Sequence, residues 1–204
     1  ISVKLLAERW IGLSSSEMSQ NPEVIFDMAW SSLKEKHGGE DRIALPREIM
    51  FLGGAPGAGK GTMTPHIMRE RGLGKDQSIS MSSLLNSPAA KRIIDQGGLV
   101  SDMEVFSILL EALSKPDKRL GALVDGFPRT VTQVELLRLL HSKMDELSRG
   151  GADKARCPAM PRPHFRMGIL YVDEKESIRR QLSRGQQALE HNKQVEEAGE
   201  GELM

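Results

Sequence analysis

Disulfide chemistry is missing from this chain. Its 204 residues include one cysteine, Cys157, which has no internal partner and no neighbours at metal-ligand spacing. A lone thiol of this kind reads as inert or exposed and fits a reducing, cytoplasmic compartment. An excess of either charge is missing too, because 28 Lys plus Arg balance 28 Asp plus Glu. That balance argues against a protein that coats nucleic acid or an anionic membrane, and leaves room for a local basic pocket. No run approaches the ~20 apolar residues of a membrane span. Ile1 to Leu13 lack the small-residue cleavage site of a signal peptide. No internal repeat of useful length is present. With 39% hydrophobic and 27% charged residues, what remains is an ordinary globular chain, long enough for one sizeable domain.

Hydrophobic spacing divides the chain. Up to Arg47 the pattern is helical: Leu5, Leu6, Trp10 and Ile11 form one stripe, and Val24, Ile25, Met28, Ala29 and Leu33 another. Asn21 is placed to cap the second helix, Pro22 to start it, and Gly38 and Gly39 to end it. Residues 1–47 are therefore expected to be a helical extension packed on the domain that follows, with a partner-binding arm as the alternative. From Glu48 onward, short apolar runs alternate with helical stretches. Ile49 to Leu52, Leu120 to Val124 and Ile169 to Val172 read as buried strands, and Ser78 to Met81 as a short one. Helices are expected at Gly59 to Arg71, Ser87 to Ile94, Asp102 to Leu113, Thr130 to Leu147 and Glu174 to Leu189. Ser148 to Met167, rich in Arg, Gly and Pro, reads as a loop. Alternation of this kind predicts an α/β fold, a parallel sheet flanked by helices.

The sharpest motif is Gly54-Ala55-Pro56-Gly57-Ala58-Gly59-Lys60-Gly61-Thr62. It lies between a predicted strand and a predicted helix, the context that separates a phosphate-binding P-loop from a glycine-rich turn with a chance lysine. Glycines let the backbone approach phosphate oxygens, and successive N–H groups then converge on one anion. The helix that follows adds the positive end of its dipole. Gly57 through Thr62 are thus candidate contacts for the phosphates of ATP. Lys60 supplies a mobile charge for the β- and γ-phosphates, and the Thr62 hydroxyl suits Mg²⁺. Pro65 inside that helix predicts a lost hydrogen bond and a local kink.

With this loop the sequence resembles the adenylate kinase family of P-loop nucleoside monophosphate kinases. A second block supports it, Val124-Asp125-Gly126-Phe127-Pro128-Arg129-Thr130 with Gln133 three residues on. A third is Asp95-Gln-Gly-Gly-Leu-Val-Ser-Asp-Met-Glu-Val105. The resemblance covers about Ile49 to Gly185, and Thr130 leans toward the adenylate branch. It implies a kinase core over residues 48–185, a monophosphate-binding part at about 78–105, and transfer of the γ-phosphate of ATP to AMP with Mg²⁺. It implies Asp125 as the acid that holds Mg²⁺ through water and Arg129 as the grip on the AMP phosphate. Gly126 and Gln133 complete the AMP site, Gln133 reading the adenine edge. Arg180 and Arg184, one helical turn apart, resemble the arginines that enter the lid and contact ATP phosphates and the transferring group. With Lys60 and Arg129 they form the expected catalytic set.

Two departures qualify that picture. The family's Ile-Ser-Thr-Gly-Asp-x-Leu-Arg segment is here Ile79-Ser80-Met81-Ser82-Ser83-Leu84-Leu85-Asn86, so Met81 replaces Thr and Asn86 replaces the second phosphate-gripping arginine. This keeps two other functions open: a kinase for another nucleoside monophosphate or small acceptor, and a non-catalytic nucleotide-binding module. Residues 186–204 are expected to be the start of a lid or a frayed tail. The chain begins at Ile1 and runs out in a polar segment at Met204, and is read as a fragment of a longer kinase that binds ATP·Mg²⁺ weakly and transfers slowly.

Overall fold

Four parallel strands form the centre of the molecule. The structure, a computed structural model, describes residues 20–86, 101–149 and 162–198. The strands are β1 (Glu48–Gly54), β2 (Ser78–Ser80), β3 (Ala122–Asp125) and β4 (His164–Leu170), in the spatial order β2-β3-β1-β4. The register pairs Phe51 with Val124 and Leu52 with Asp125, and Ile79 also faces Val124. Ile49, Phe51, Leu52 and Leu123 are buried, as expected where helices cover both faces of a parallel sheet. The helices are α1 (Pro22–His37), α2 (Lys60–Glu70), α3 (Met81–Leu85), α4 (Asp102–Leu113), α5 (Val131–Arg149) and α6 (Glu174–Ala198). The architecture is thus the expected α/β kinase core. Among the described residues no helix is long and apolar enough to cross a membrane. Expectations placed on Leu5 to Ile11, on a helix from Ser87 to Ile94, on Asp95 to Val100 and on Cys157 lie outside the described residues.

Local chemistry sets the helix ends. The Asn21 side chain accepts the Glu23 N–H at 2.9 Å and Pro22 opens α1. Gly38 ends it at φ 72°, a left-handed conformation that glycine adopts without a Cβ penalty. At α4 the Ser101 hydroxyl accepts the Glu104 N–H, and the Glu104 carboxylate accepts the Ser101 N–H at 2.8 Å. This reciprocal cap satisfies two otherwise orphaned donors.

Helix α1 is built into the core. Ile25, Phe26, Ala29, Trp30 and Leu33 are buried and join one cluster with Phe106, Leu109, Leu110, Leu136, Leu140 and Met144 of α4 and α5. The Phe26 ring stacks on Trp30 at 5.9 Å and meets Phe106 at 5.8 Å. Polar contacts rim the seam: Trp30 Nε1 donates to Glu40 at 2.7 Å, Lys143 pairs with Glu40 at 3.4 Å, and Lys36 pairs with Glu111 at 2.7 Å. Burial pushes the Glu40 carboxyl up. The Trp30 hydrogen bond and the charges of Lys143 and Lys34 together outweigh that and leave it below its ordinary value.

The structure corrects three details. The strand expected at Ile169 to Val172 begins at His164 instead, inside the stretch read as loop, and ends at Leu170. It is not buried: Ile169 is 73% exposed and Tyr171 just beyond it 89%. Backbone pairing with all of β1, from Glu48↔His164 to Gly54↔Leu170, sets its extent, and apolar content misplaced it. Along β4 successive side chains point to opposite faces of the sheet, and His164, Arg166, Met167 and Ile169 are exposed. Helix α5 reaches Arg149, also inside the stretch read as loop. Helix α6 runs unbroken to Ala198, past its expected end at Leu189. The segment from Gln186 is rich in Gln, Ala, Leu, Glu and Lys, all good helix formers, and Gly185 alone costs only about 1 kcal/mol. Helix α2 includes Pro65, which has no backbone N–H to donate, as expected.

Two outcomes are expected from the α1 seam. Trp30→Ala should lower the unfolding free energy by about 3–5 kcal/mol, the usual cost of emptying a large aromatic site, read from the midpoint of urea unfolding at unchanged slope. The depressed Glu40 carboxyl contributes stability that is fully present above its unfolded value near 4.5 and is lost as pH falls through the lower folded value. Glu40→Gln should therefore flatten the acid side of the stability–pH curve, and an unchanged curve would show that the pairing contributes nothing.

Candidate nucleotide-binding site

The chemistry gathers where β1 and β3 end side by side. Each strand runs into a glycine turn at its carboxyl end, and the parallel register holds the two turns next to each other. In the first turn, Gly57 has φ 82° and Gly59 has φ 90°. A Cβ on Gly57 would lie 3.1 Å from Ser177 O and 3.3 Å from Arg180 Cβ. Glycine here allows both the left-handed bend and the close approach of α6. Gly59 then caps α2, so the first free N–H groups of that helix point into the loop.

Helix α6 closes one side by bonding to the loop itself. The Ser177 hydroxyl, buried, donates to Pro56 O at 2.7 Å, and Arg180 donates to Gly57 O at 2.9 Å. Glu176 holds the neighbouring arginines: Arg179 grips its carboxylate through Nε and a terminal nitrogen, both at 2.7 Å, and Arg180 Nε reaches it at 2.6 Å. Those guanidinium hydrogen bonds and charges, Arg179 first, hold the Glu176 carboxyl down to about 2.

The second turn lies opposite. Asp125 ends β3 with its Oδ1 buried and without a hydrogen-bond partner. Gly126 follows at φ 88°, with Arg129 lying over it. Arg129 Nε donates to Gly126 O at 2.8 Å.

These groups line one cleft of about 1050 Å³. It contains Gly57, Ala58, Gly59, Lys60, Gly61, Thr62, Asp125, Gly126, Arg129, Arg180 and Arg184. Every sequence-predicted site residue is therefore brought together except Gln133. That side chain is 4% exposed and turned inward, accepting the Arg129 N–H at 2.7 Å and donating to Asp102 at 2.7 Å. Met81 is buried in the core beneath Gly126, while Asn86 caps α3 outside the cleft lining. Sequence reasoning missed Arg179, Ser82 and Ser183, which also line the cleft. Arg179 was legible only as the neighbour of Arg180, because sequence alone does not show which face α6 turns toward the loop.

Lys60 rests on the loop, its Nζ donating to Gly54 O at 2.8 Å and Ala55 O at 3.2 Å. The cleft is thus rich in cations, with Lys60 and four arginines against Asp125 and Glu176 near its rim. Such a surface suits a polyanion of several phosphate groups. Among the described residues no three His, Cys, Asp or Glu side chains converge on one point. A metal here would draw on Asp125 and Thr62 together with ligand oxygens.

Comparison with known proteins agrees with this geometry. The adenylate kinase family model matches residues 52–149. An adenylate kinase of Xanthobacter autotrophicus is 42% identical over 104 residues, which is 46% of this chain and 52% of the relative. One from Methylobacterium radiotolerans is 38% identical over 109 residues, 48% of this chain and 53% of the relative. One from Azorhizobium caulinodans is 40% identical over 104 residues, 46% and 52%. The chain spans about half the length of the curated relatives it matches. Glycine cradle, β3 turn and sequence match coincide in this segment, and over it the chain is similar to the adenylate kinase family.

Proposed function

We propose that this chain is the nucleotide-binding core of a phosphotransferase that moves the γ-phosphate of ATP to AMP. The observation that supports this is the single cleft in which the glycine cradle faces both Arg129 and the arginines of α6. The donor's β- and γ-phosphates are taken by the N–H groups of Gly57 to Thr62 and by Lys60. The loop carbonyls that Lys60 now contacts are neutral acceptors, and a phosphate oxygen replaces them as a charged and stronger one. Arg129, across the cleft, grips the acceptor phosphate, its planar guanidinium suited to two oxygens at once. Arg180 and Arg184 lie where charge spreads over the transferring phosphoryl oxygens, and fixed cations there lower the barrier.

Magnesium fits the site. Asp125 Oδ1 is buried and unpartnered, the Thr62 hydroxyl lines the same cleft, and Mg²⁺ needs only one or two protein oxygens beside phosphates and water. When bound it neutralises charge on the phosphate oxygens. A second reading, a kinase for a different nucleoside monophosphate, draws support from Gln133, whose amide is turned into the protein and leaves the acceptor base unread by it. Assay with ATP and each of AMP, CMP, UMP and GMP distinguishes the two.

Lys60→Ala is expected to slow ATP-to-AMP transfer by about 10²–10³-fold, as loss of one preorganised contact to developing charge does. Near wild-type turnover would remove the cradle from the mechanism. Arg129→Ala should weaken AMP far more than ATP in titration calorimetry, and equal losses for both nucleotides would show that Arg129 serves the donor instead.

A further inference from the structure

One polar network behind the cleft has no part in the chemistry described so far. Its centre is Asp102, in the first turn of α4, where the helix dipole favours a carboxylate. The Thr130 hydroxyl lies 3.1 Å from both Asp102 oxygens, and Gln133 Nε2 donates to Asp102 Oδ1 at 2.7 Å. Thr130 in turn accepts the Gln133 N–H at 3.1 Å at the start of α5. The other end of the Gln133 amide accepts the backbone N–H of Arg129 at 2.7 Å. A short chain of hydrogen bonds thus runs from the acid of α4, through a buried amide, to the main chain of the arginine that faces the cleft.

Both ends of that amide are engaged, which decides what Gln133 can do. Turning it out toward a ligand would leave the Asp102 carboxylate and the Arg129 N–H each short of a partner, and hydrogen bonds to charged groups are the costly ones to lose. On the other side, the Arg129 side chain is steered by Gly126 O at 2.8 Å. The arginine is therefore fixed at two points, its main chain by Gln133 and its guanidinium stem by the β3 turn. The reciprocal cap between Ser101 and Glu104 sets the register of α4 and so the height of Asp102.

We propose that Asp102 is a positioning residue for the acceptor phosphate: through Gln133 and Thr130 it fixes the backbone from which Arg129 reaches into the cleft. Gln133 then serves as the relay between carboxylate and arginine. The inference rests on the reading of Arg129 as the acceptor's grip. It assigns the coupling between α4 and the β3 turn to one carboxylate.

The test uses Asp102→Ala, Asp102→Asn and Gln133→Met in this chain, with AMP and ATP·Mg²⁺ titrated separately by calorimetry. Asp102→Ala is expected to raise the Kd for AMP about tenfold, the worth of one hydrogen bond to a charged group, with the Kd for ATP·Mg²⁺ unchanged. Asp102→Asn, which keeps an acceptor oxygen, should restore most of the affinity. In an Arg129→Ala background Asp102→Ala should cost nothing further for AMP, since a positioning residue acts only through what it positions. An unchanged AMP affinity in Asp102→Ala, or an equal loss with and without Arg129, overturns the proposal. If Asp102→Ala does not fold, Gln133→Met must give the same AMP-selective loss. A separate readout is the Arg129 amide proton by NMR, which should move upfield and exchange faster in Gln133→Met and in Asp102→Ala and stay near its wild-type position in Asp102→Asn. An amide unmoved in Gln133→Met overturns the network even if wild-type protein binds no AMP, a result that would instead sink the acceptor reading of Arg129.

Discussion

The parallel pairing of β1 with β3 is the constraint on which the site depends. Leu52 faces Asp125, the last residue of β3, across that pairing and β1 runs on only to Gly54, so both strands release their turns on the same side of the sheet. One turn becomes the glycine cradle and opens α2; the other presents Asp125, Gly126 and Arg129. Neither makes a cleft alone. A crevice forms at the carboxyl edge of a parallel sheet where successive connections leave in opposite directions, and here β3 sits between β1 and β2 while β4 lies beyond β1.

Helix α6 supplies the third side by contacts that belong to the loop as much as to the helix. Ser177 and Arg180 bond to the carbonyls of Pro56 and Gly57, and a Cβ on Gly57 would crowd α6. The cradle's shape is thus held from outside as well as by its own glycines. Glu176 keeps Arg179 and Arg180 together at the mouth of the cleft. These pairs are exposed and individually weak; their effect is to orient the guanidiniums, and a polyphosphate is a stronger acceptor for the same nitrogens.

The helices on the α1 side of the sheet show how far local signals carried. Asn21, Pro22 and Gly38 marked the ends of α1 because capping is a contest among neighbouring residues. Of the stripe read from spacing, Val24, Ile25, Ala29 and Leu33 are buried and Met28 is exposed, while Phe26 and Trp30, which the spacing did not single out, are buried beside them. What the stripe packs against was not legible: α4 and α5 are brought under it by the chain's path, and the partners of Trp30 and Glu40 include Lys143, about a hundred residues away in sequence. Strand β4 was misplaced for the converse reason. Its extent follows β1 through backbone hydrogen bonds that are blind to side chains, so His164 and Arg166 pair as readily as Ile169.

By itself the sequence determined the phosphate cradle, the alternation of strands and helices, and the identity of Lys60, Asp125, Arg129, Arg180 and Arg184 as cleft residues. The cradle with Lys60 and the alternation are written in short contiguous patterns whose physics is local, namely glycine φ angles, helix N-termini and apolar runs, whereas Asp125, Arg129, Arg180 and Arg184 were reached through the resemblance of their blocks to the adenylate kinase family. Only the tertiary structure decided that Arg179 joins them, that Met81 lies in the core, and that the Gln133 amide is spent on Asp102 and the Arg129 main chain. Those outcomes depend on groups that are far apart in sequence and meet only when the helices dock. A buried amide takes whatever partners surround it, and those partners are set by the docking of α4 against α5.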